Sequence, residues 1–271
     1  MAKSKKPTEF FARHPVFRYE DFAQTYSESG ERSRHTPASV LKQHVAAGNL
    51  VHVRRGVYAT VPRGVSAEDF QVDPYLLACK LTEDAVMAYH SALQFHGKVY
   101  SVWNRFQYLT RRRLRKFFFR GMEFVPVQVP AAVRLLDNFG GGVKVKPHAG
   151  GHVRVTTLER TLVDVLDSPD RCGGWEETWR SLEMVEFFDL EAVIDYAKNM
   201  DSALTAARVG FFLEQNRERL MVSDHHLDAL RTLAPAQPRY FDARRESGKL
   251  VKGWNLIVPE RVLDRSWEEV G

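Results

Sequence analysis

The 271-residue sequence predicts an α+β protein in two parts, a small domain over residues 1–63 and a larger mixed α/β domain over 64–271 with a small sheet and several helices. Three observations carry this. Helical spacing gives way to a hairpin pattern before residue 63. Aromatic and β-branched runs separated by polar turns follow between 105 and 156. From 158 onward apolar residues recur at helical spacing. With 44% hydrophobic residues the chain can bury more than one small core.

Taken in order, FRYEDFAQTY places Phe17, Phe22 and Tyr26 on one face of a first helix over 17–26. Thr36 before Pro37 is a helix start: the threonine oxygen caps backbone N–H groups, and proline at the first position has no N–H to orphan. That helix runs over 37–47, with Ala38, Leu41 and Val45 inward, Ser39, Lys42, Gln43 and Ala46 outward, and Gly48 ending it. Strands over 50–53 and 57–61 meet at Arg54-Arg55-Gly56. Helix, helix and hairpin in this order are the elements of a winged helix-turn-helix.

VPRGVSAEDF reads as a linker in which Ser66 and Asp69 have the spacing of a capping box for a helix through Tyr75, Leu76 and Leu77. A further helix spans 87–95 and stops at Gly97. Strands over 105–110, 116–119, 122–129, 143–145 and 153–156 form one mixed or antiparallel sheet. Thr156 and Glu159 then suggest a second capping box, ahead of a helix that buries Leu158, Leu162, Val165 and Leu166. Helices over 175–185, 190–198, 203–214 and 224–233 follow, and strands around 254–258 are available to rejoin the sheet.

The formal charge is +5 and the pI about 9.2, a mild excess that suits nucleic acid without demanding it. The excess is local: residues 1–66 hold eleven Lys/Arg against five acids. In a winged helix the recognition helix enters the major groove and the hairpin follows the backbone. Arg34, Thr36 and Ser39 are then candidates for phosphate at the helix start, Lys42 and Gln43 for base edges, and Arg54 and Arg55 for phosphate or a narrow minor groove. The competing reading is a protein-docking subdomain with a solvated basic tip. In RRRLRKFFFRG, Arg111, Arg112, Arg113 and Arg115 offer a secondary basic surface; the plainer reading makes the phenylalanines core and the arginines solvated.

Other chemistry is weakly marked. His225 and His226 are adjacent, so they lack the one-sided spacing of a helical metal site, and a helix start capped by Ser223 or Asp224 explains them. His90 and His96 lie on different helix faces and read as packing groups or supports for a neighbour. Arg160 and Asp164 read as an i, i+4 ion pair. GGGVK lacks the spacing of a phosphate loop. No metal site, catalytic set or cofactor is indicated. Cys79 and Cys172 stand alone, and neither a signal peptide nor a membrane span is evident, so a cytoplasmic protein is expected.

With those residues laid out, the chain resembles the AbiEi family, antitoxins of type IV toxin–antitoxin systems that also act as transcriptional repressors. VFRYEDFA and AAGNLVHVRRGVYATV, with Arg55, Gly56, Val57 and Tyr58, resemble the family's N-terminal winged helix; AYHSALQFHG and VRVTTLERTLVDVL resemble landmarks of its C-terminal domain. The resemblance covers most of the chain to about Leu233 and fades beyond. It implies that residues 1–63 bind inverted repeats in double-stranded DNA of the protein's own promoter. It also implies that residues 64–271 support cooperative repression by a monomer and neutralise a nucleotidyltransferase toxin; it points to no toxin-contact residues. A stand-alone regulator without a cognate toxin is the second reading, and a nucleic-acid-processing enzyme the third.

Overall fold

The computed structural model describes residues 5–28 and 36–268, which form a mixed α+β structure with eleven α-helices and three sheets among the described residues. Two compact units emerge, one of Met1–Met87, Asn104–Val127 and Val145–Val155, the other of Ala88–Trp103, Gln128–Lys144 and Thr156–Gly271. These units do not divide at Arg63.

The first unit begins with α1 (Lys5–Arg13), β1 (Val16–Arg18), α2 (Tyr19–Glu28) and α3 (Pro37–Ala46), then β2 (Leu50–Arg54) and β3 (Val57–Thr60). Its three-stranded sheet has the order β1-β3-β2, antiparallel throughout, with Phe17 opposite Tyr58. Phe17 is therefore a strand residue rather than the start of a helix. The pairing of Val16 and Phe17 with Ala59 and Tyr58 outweighs its local helical spacing, and α2 starts at Tyr19, where Asp21 Oδ2 accepts from the Arg18 N–H at 3.1 Å. Phe10, Phe11, Phe17, Phe22, Val40, Leu41 and Leu50 form the core. Phe10 meets Phe17 edge-on at 5.1 Å and Phe22 at 5.2 Å. Helix α1 contributes two of these rings although the sequence pattern gave it no element.

Helix α3 starts as its cap demands: Thr36 Oγ accepts from the Ser39 N–H at 3.2 Å, Pro37 follows, and Gly48, at φ +72°, lies just past the end. Its buried face is Val40 and Leu41, whereas Ala38 is exposed and Val45 half-buried. The Ser66–Asp69 pair makes its expected local bonds, Asp69 N–H to Ser66 Oγ at 3.1 Å, but closes a turn and leads into no helix. Helix α4 (Pro74–Lys80) begins later, capped by Asp73, whose carboxylate accepts from the Leu76 N–H at 2.9 Å. It packs on β1, and Lys80 reaches Asp21 at 2.9 Å, so the chain after residue 63 folds onto the N-terminal elements.

The expected helix over 87–95 is split into β4 (Val86–Met87) and the short α5 (His90–Phe95), with Tyr89 between them at φ +54°. Then come β5 (Arg105–Thr110), β6 (Phe117–Phe119), β7 (Met122–Gln128), β8 (Val143–His148) and β9 (Gly151–Thr156). Their sheet has the order β6-β7-β5-β4-β9-β8 and is mixed: β4 runs antiparallel to β5 and parallel to β9.

The second unit is mainly helical: α6 (Leu158–Asp167), α7 (Trp175–Glu183), α8 (Leu190–Asn199), α9 (Ala203–Gln215) and α10 (Asp224–Arg231). The cap of α6 is Thr157, one residue later than expected; Thr156 ends β9 and its hydroxyl bonds Thr161 Oγ at 2.7 Å. After β10 (Arg239–Tyr240), β11 (Lys249–Val251), β12 (Leu256–Val258) and α11 (Glu260–Leu263), the tail strands form their own sheet, β10-β12-β11, instead of rejoining the larger one. Buried Trp254 anchors that tail against Gly210 of α9 and donates to Glu214 Oε2 at 2.8 Å.

Candidate nucleic-acid interface

Helix α3 is held from beneath by Val40 and Leu41, and its outward side carries exposed Lys42 and Gln43. At its start Thr36 is exposed. Its oxygen takes the Ser39 N–H, while Ser39 donates its own hydroxyl proton to the Thr36 carbonyl at 2.9 Å. Thr36 thus keeps a hydroxyl proton for an anion, whereas the proton of half-buried Ser39 is committed to the cap. Arg34 lies outside the described residues.

The two hairpin arginines are not equivalent. Arg55 is exposed in the turn beside Gly56, whose φ of +77° suits glycine and whose carbonyl accepts from the Tyr19 N–H at 2.8 Å. Arg54 is half-buried, with its guanidinium carbon 5.2 Å from the centroid of the Phe117 ring. Nearby Tyr108 is buried; burial pushes its phenol up to about 12, and the Arg54 charge pulls the other way.

Arg111, Arg112, Arg113 and Arg115 are all exposed in the loop between β5 and β6. Asp84 fixes the loop's base, accepting from Thr110 Oγ and the Arg111 N–H, each at 2.7 Å. Burial opposes ionisation of Asp84, yet these donors outweigh it and hold its carboxyl below the ordinary value. The three phenylalanines do not all go inward: Phe117 and Phe119 are half-buried, and Phe118 between them is 62% exposed, with Lys116 Nζ 5.1 Å from its ring centroid. Strand alternation requires this, since neighbours in β6 face opposite sides. The Arg54–Phe117 contact had no counterpart in the sequence reading; the only available signal was that period-two pattern.

The remaining candidates have structural roles. His90 is buried, stacks on Trp103 at 3.6 Å, and lies 3.3 Å from Glu177 Oε1; burial holds its pKa below the ordinary value, against the pull of Glu177. His96 bonds the Thr156 carbonyl at 2.8 Å. His226 Nδ1 accepts from the Ser223 N–H at 3.1 Å, completing the cap of α10. Arg160 and Asp164 do pair, at 3.2 Å, but fully buried. Among the described residues no three His, Cys, Asp or Glu side chains converge as a metal-binding group, and no helix is long and apolar enough to cross a membrane.

No family model matches the chain, and no curated protein matches it. Among solved structures it is similar to the crystal structure of the RV2827C protein from Mycobacterium tuberculosis, with a TM-score of 0.60 and 19% identity over 97% of this chain and 94% of that one. That likeness concerns the α+β fold alone.

Proposed function

We propose that the chain is a non-catalytic, sequence-specific DNA-binding repressor whose N-terminal elements act as a winged helix-turn-helix, α3 being the recognition helix and β2–β3 the wing. The observation that carries this is the presentation of exposed Lys42 and Gln43 on a capped helix that Val40 and Leu41 pin to an aromatic core, together with exposed Arg55 at the tip of a short hairpin. A lysine and a glutamine so placed suit guanine acceptors and an adenine edge, and the arginine suits phosphate. Gel shift with duplex DNA from the protein's own upstream region tests it. Gln43→Ala should relax discrimination between that duplex and a scrambled one by about 1–3 kcal/mol. Arg55→Ala should weaken both alike and lower the salt slope by about 0.9. Equal affinity of the wild type for the two duplexes would refute sequence-specific recognition.

The resemblance of the HSALQFHG and TTLERTLVD segments to AbiEi landmarks supports a second, linked role: an antitoxin counteracting a nucleotidyltransferase toxin in the cytoplasm, with a monomer binding cooperatively at operator repeats. Co-expression with the product of an adjacent nucleotidyltransferase reading frame tests this half by restoring growth. Absence of such a frame leaves a stand-alone regulator.

A further inference from the structure

We infer that the hairpin tip and the β5–β6 loop form one continuous phosphate-binding surface for duplex DNA, and that Arg54 acts as the strut joining them rather than as a phosphate contact. The inference rests on the DNA-binding reading above and extends its footprint to residues far along the chain.

Three observations lead to it. The guanidinium of Arg54, adjacent to Arg55 at the tip, lies 5.2 Å from the ring centroid of Phe117, the first residue of β6. The loop that enters β6, residues 111–116, holds five cations in six positions and every one of the six is exposed. The acids close by are already engaged. Glu123 pairs with Lys116 at 2.9 Å and also with Arg105 at 3.3 Å, and the oxygens of Asp84 take a threonine hydroxyl and a backbone N–H.

Geometry and screening then join the two basic elements. Arg55 and Lys116 are each one peptide unit, about 3.8 Å, from a member of the stacked pair. The Debye length is about 8 Å at physiological salt, so a polyanion lying across the Arg54–Phe117 contact feels charge from both elements. Duplex DNA presents a phosphate charge every ~1.7 Å of its axis and rewards such a row by counterion release. Arg54 is placed differently. Half-buried over an aromatic face, it is already partly desolvated, and drawing it away to a phosphate would forfeit that stacking. It holds the wing against the edge strand so that Arg55 and the loop arginines engage one backbone. Those contacts carry no base information, so the loop adds affinity and salt dependence without adding discrimination.

The test measures binding of the full chain to its upstream duplex and to a scrambled duplex of equal length across a salt series, with wild type, Arg113→Gln/Arg115→Gln and Phe117→Leu. The double variant should lower the slope of log K against log salt by about 1.8 on both duplexes and leave their affinity ratio within about threefold. Phe117→Leu removes no charge and should nevertheless lower the slope, because tip and loop no longer engage together; its thermal melting profile separates this from unfolding. An unchanged slope in the double variant overturns the extended surface. A slope that falls there but not in well-folded Phe117→Leu overturns the strut. Wild type that binds neither duplex overturns the DNA-binding reading itself and this inference with it.

Discussion

Replacing Arg160 with methionine should cost the second unit about 4 kcal/mol. Arg160 is 1% exposed. Its Nε donates to Asp164 Oδ2 at 3.2 Å, and its Nη1 donates to the carbonyls of Phe139 at 2.9 Å and Gly141 at 2.7 Å. Methionine keeps the apolar stem but leaves a buried carboxylate without its cation, worth about 3–5 kcal/mol, and orphans carbonyls in the segment before β8. These losses overlap, hence about 4 rather than their sum. All five tryptophans, Trp103, Trp175, Trp179, Trp254 and Trp267, lie in the second unit, so their fluorescence in urea reports on it selectively. At a slope of about 2 kcal/mol per M, the midpoint should fall by about 2 M. Burial already raises the Asp164 pKa, with Arg160 the leading opposing influence. Removing the arginine raises it further, and an acid whose folded pKa is raised is favoured at low pH, so the deficit should shrink on acidification. Arg160→Met/Asp164→Asn should recover half or more of the loss. A midpoint shift below about 0.5 M, or a deficit that grows at low pH, would refute the buried-pair account.

Other perturbations follow from particular contacts. A Cβ at Gly210 would collide with the Trp254 ring, so Gly210→Ala should destabilise by on the order of 2 kcal/mol despite the better helix propensity of alanine, read by the same fluorescence. Thr36→Ala removes the cap of α3 and should cost about 1 kcal/mol, seen as faster amide exchange at Val40 and Leu41; unchanged exchange would contradict the cap's importance. His90 has a folded pKa below its ordinary 6.5, so the unfolded chain takes up a proton that the folded chain refuses as pH falls through that value. Stability should therefore decline on acidification through that range, and His90→Phe should flatten the decline; parallel curves for the two proteins would exclude His90 as its source.

Legibility in the sequence tracked how local the deciding interaction was. The start of α3 was readable because Thr36, Pro37 and Ser39 settle it among themselves. Ser66 and Asp69 show the limit of that logic: they make capping bonds, yet the same bonds close a turn, and the helix waits for Asp73-Pro74, an equally plain signature a few residues on. Phe17 misled for the opposite reason. Its helical spacing was real, but its partner is Tyr58, and cross-strand pairing decided the outcome. At Thr156 and Thr157 either threonine fits a cap by pattern, and the choice falls on the second because β9 claims the first. The candidate site was legible as residue types and not as roles. Lys42, Gln43 and Arg55 face outward as expected, whereas the half-burial of Arg54 depends on a ring at residue 117 that no local pattern connects to it.

The same distinction limits what the positive charge means. Arg120 donates to the carbonyls of Ala67 and Phe70, Arg160 to those of Phe139 and Gly141, Arg208 to those of Phe241, Leu166 and Asp167, and Arg219 to those of Val185 and Glu183. In each case one planar guanidinium satisfies backbone oxygens that no helix or sheet ladder serves, a task for which its fixed fork of donors suits it better than lysine. The buried ones, Arg160 and Arg208, raise the pI without offering charge to a ligand. A formal +5 therefore says little about nucleic-acid affinity; what bears on it is the set of exposed cations at the hairpin tip and in the loop before β6. Replacing the buried Arg160 and Arg208 with lysine would leave net charge unchanged yet loosen the fold, whereas neutralising Arg113 and Arg115 would leave the fold intact and lower the salt slope. Opposite outcomes from two sets of arginines would separate structural from ligand-facing charge in a single protein.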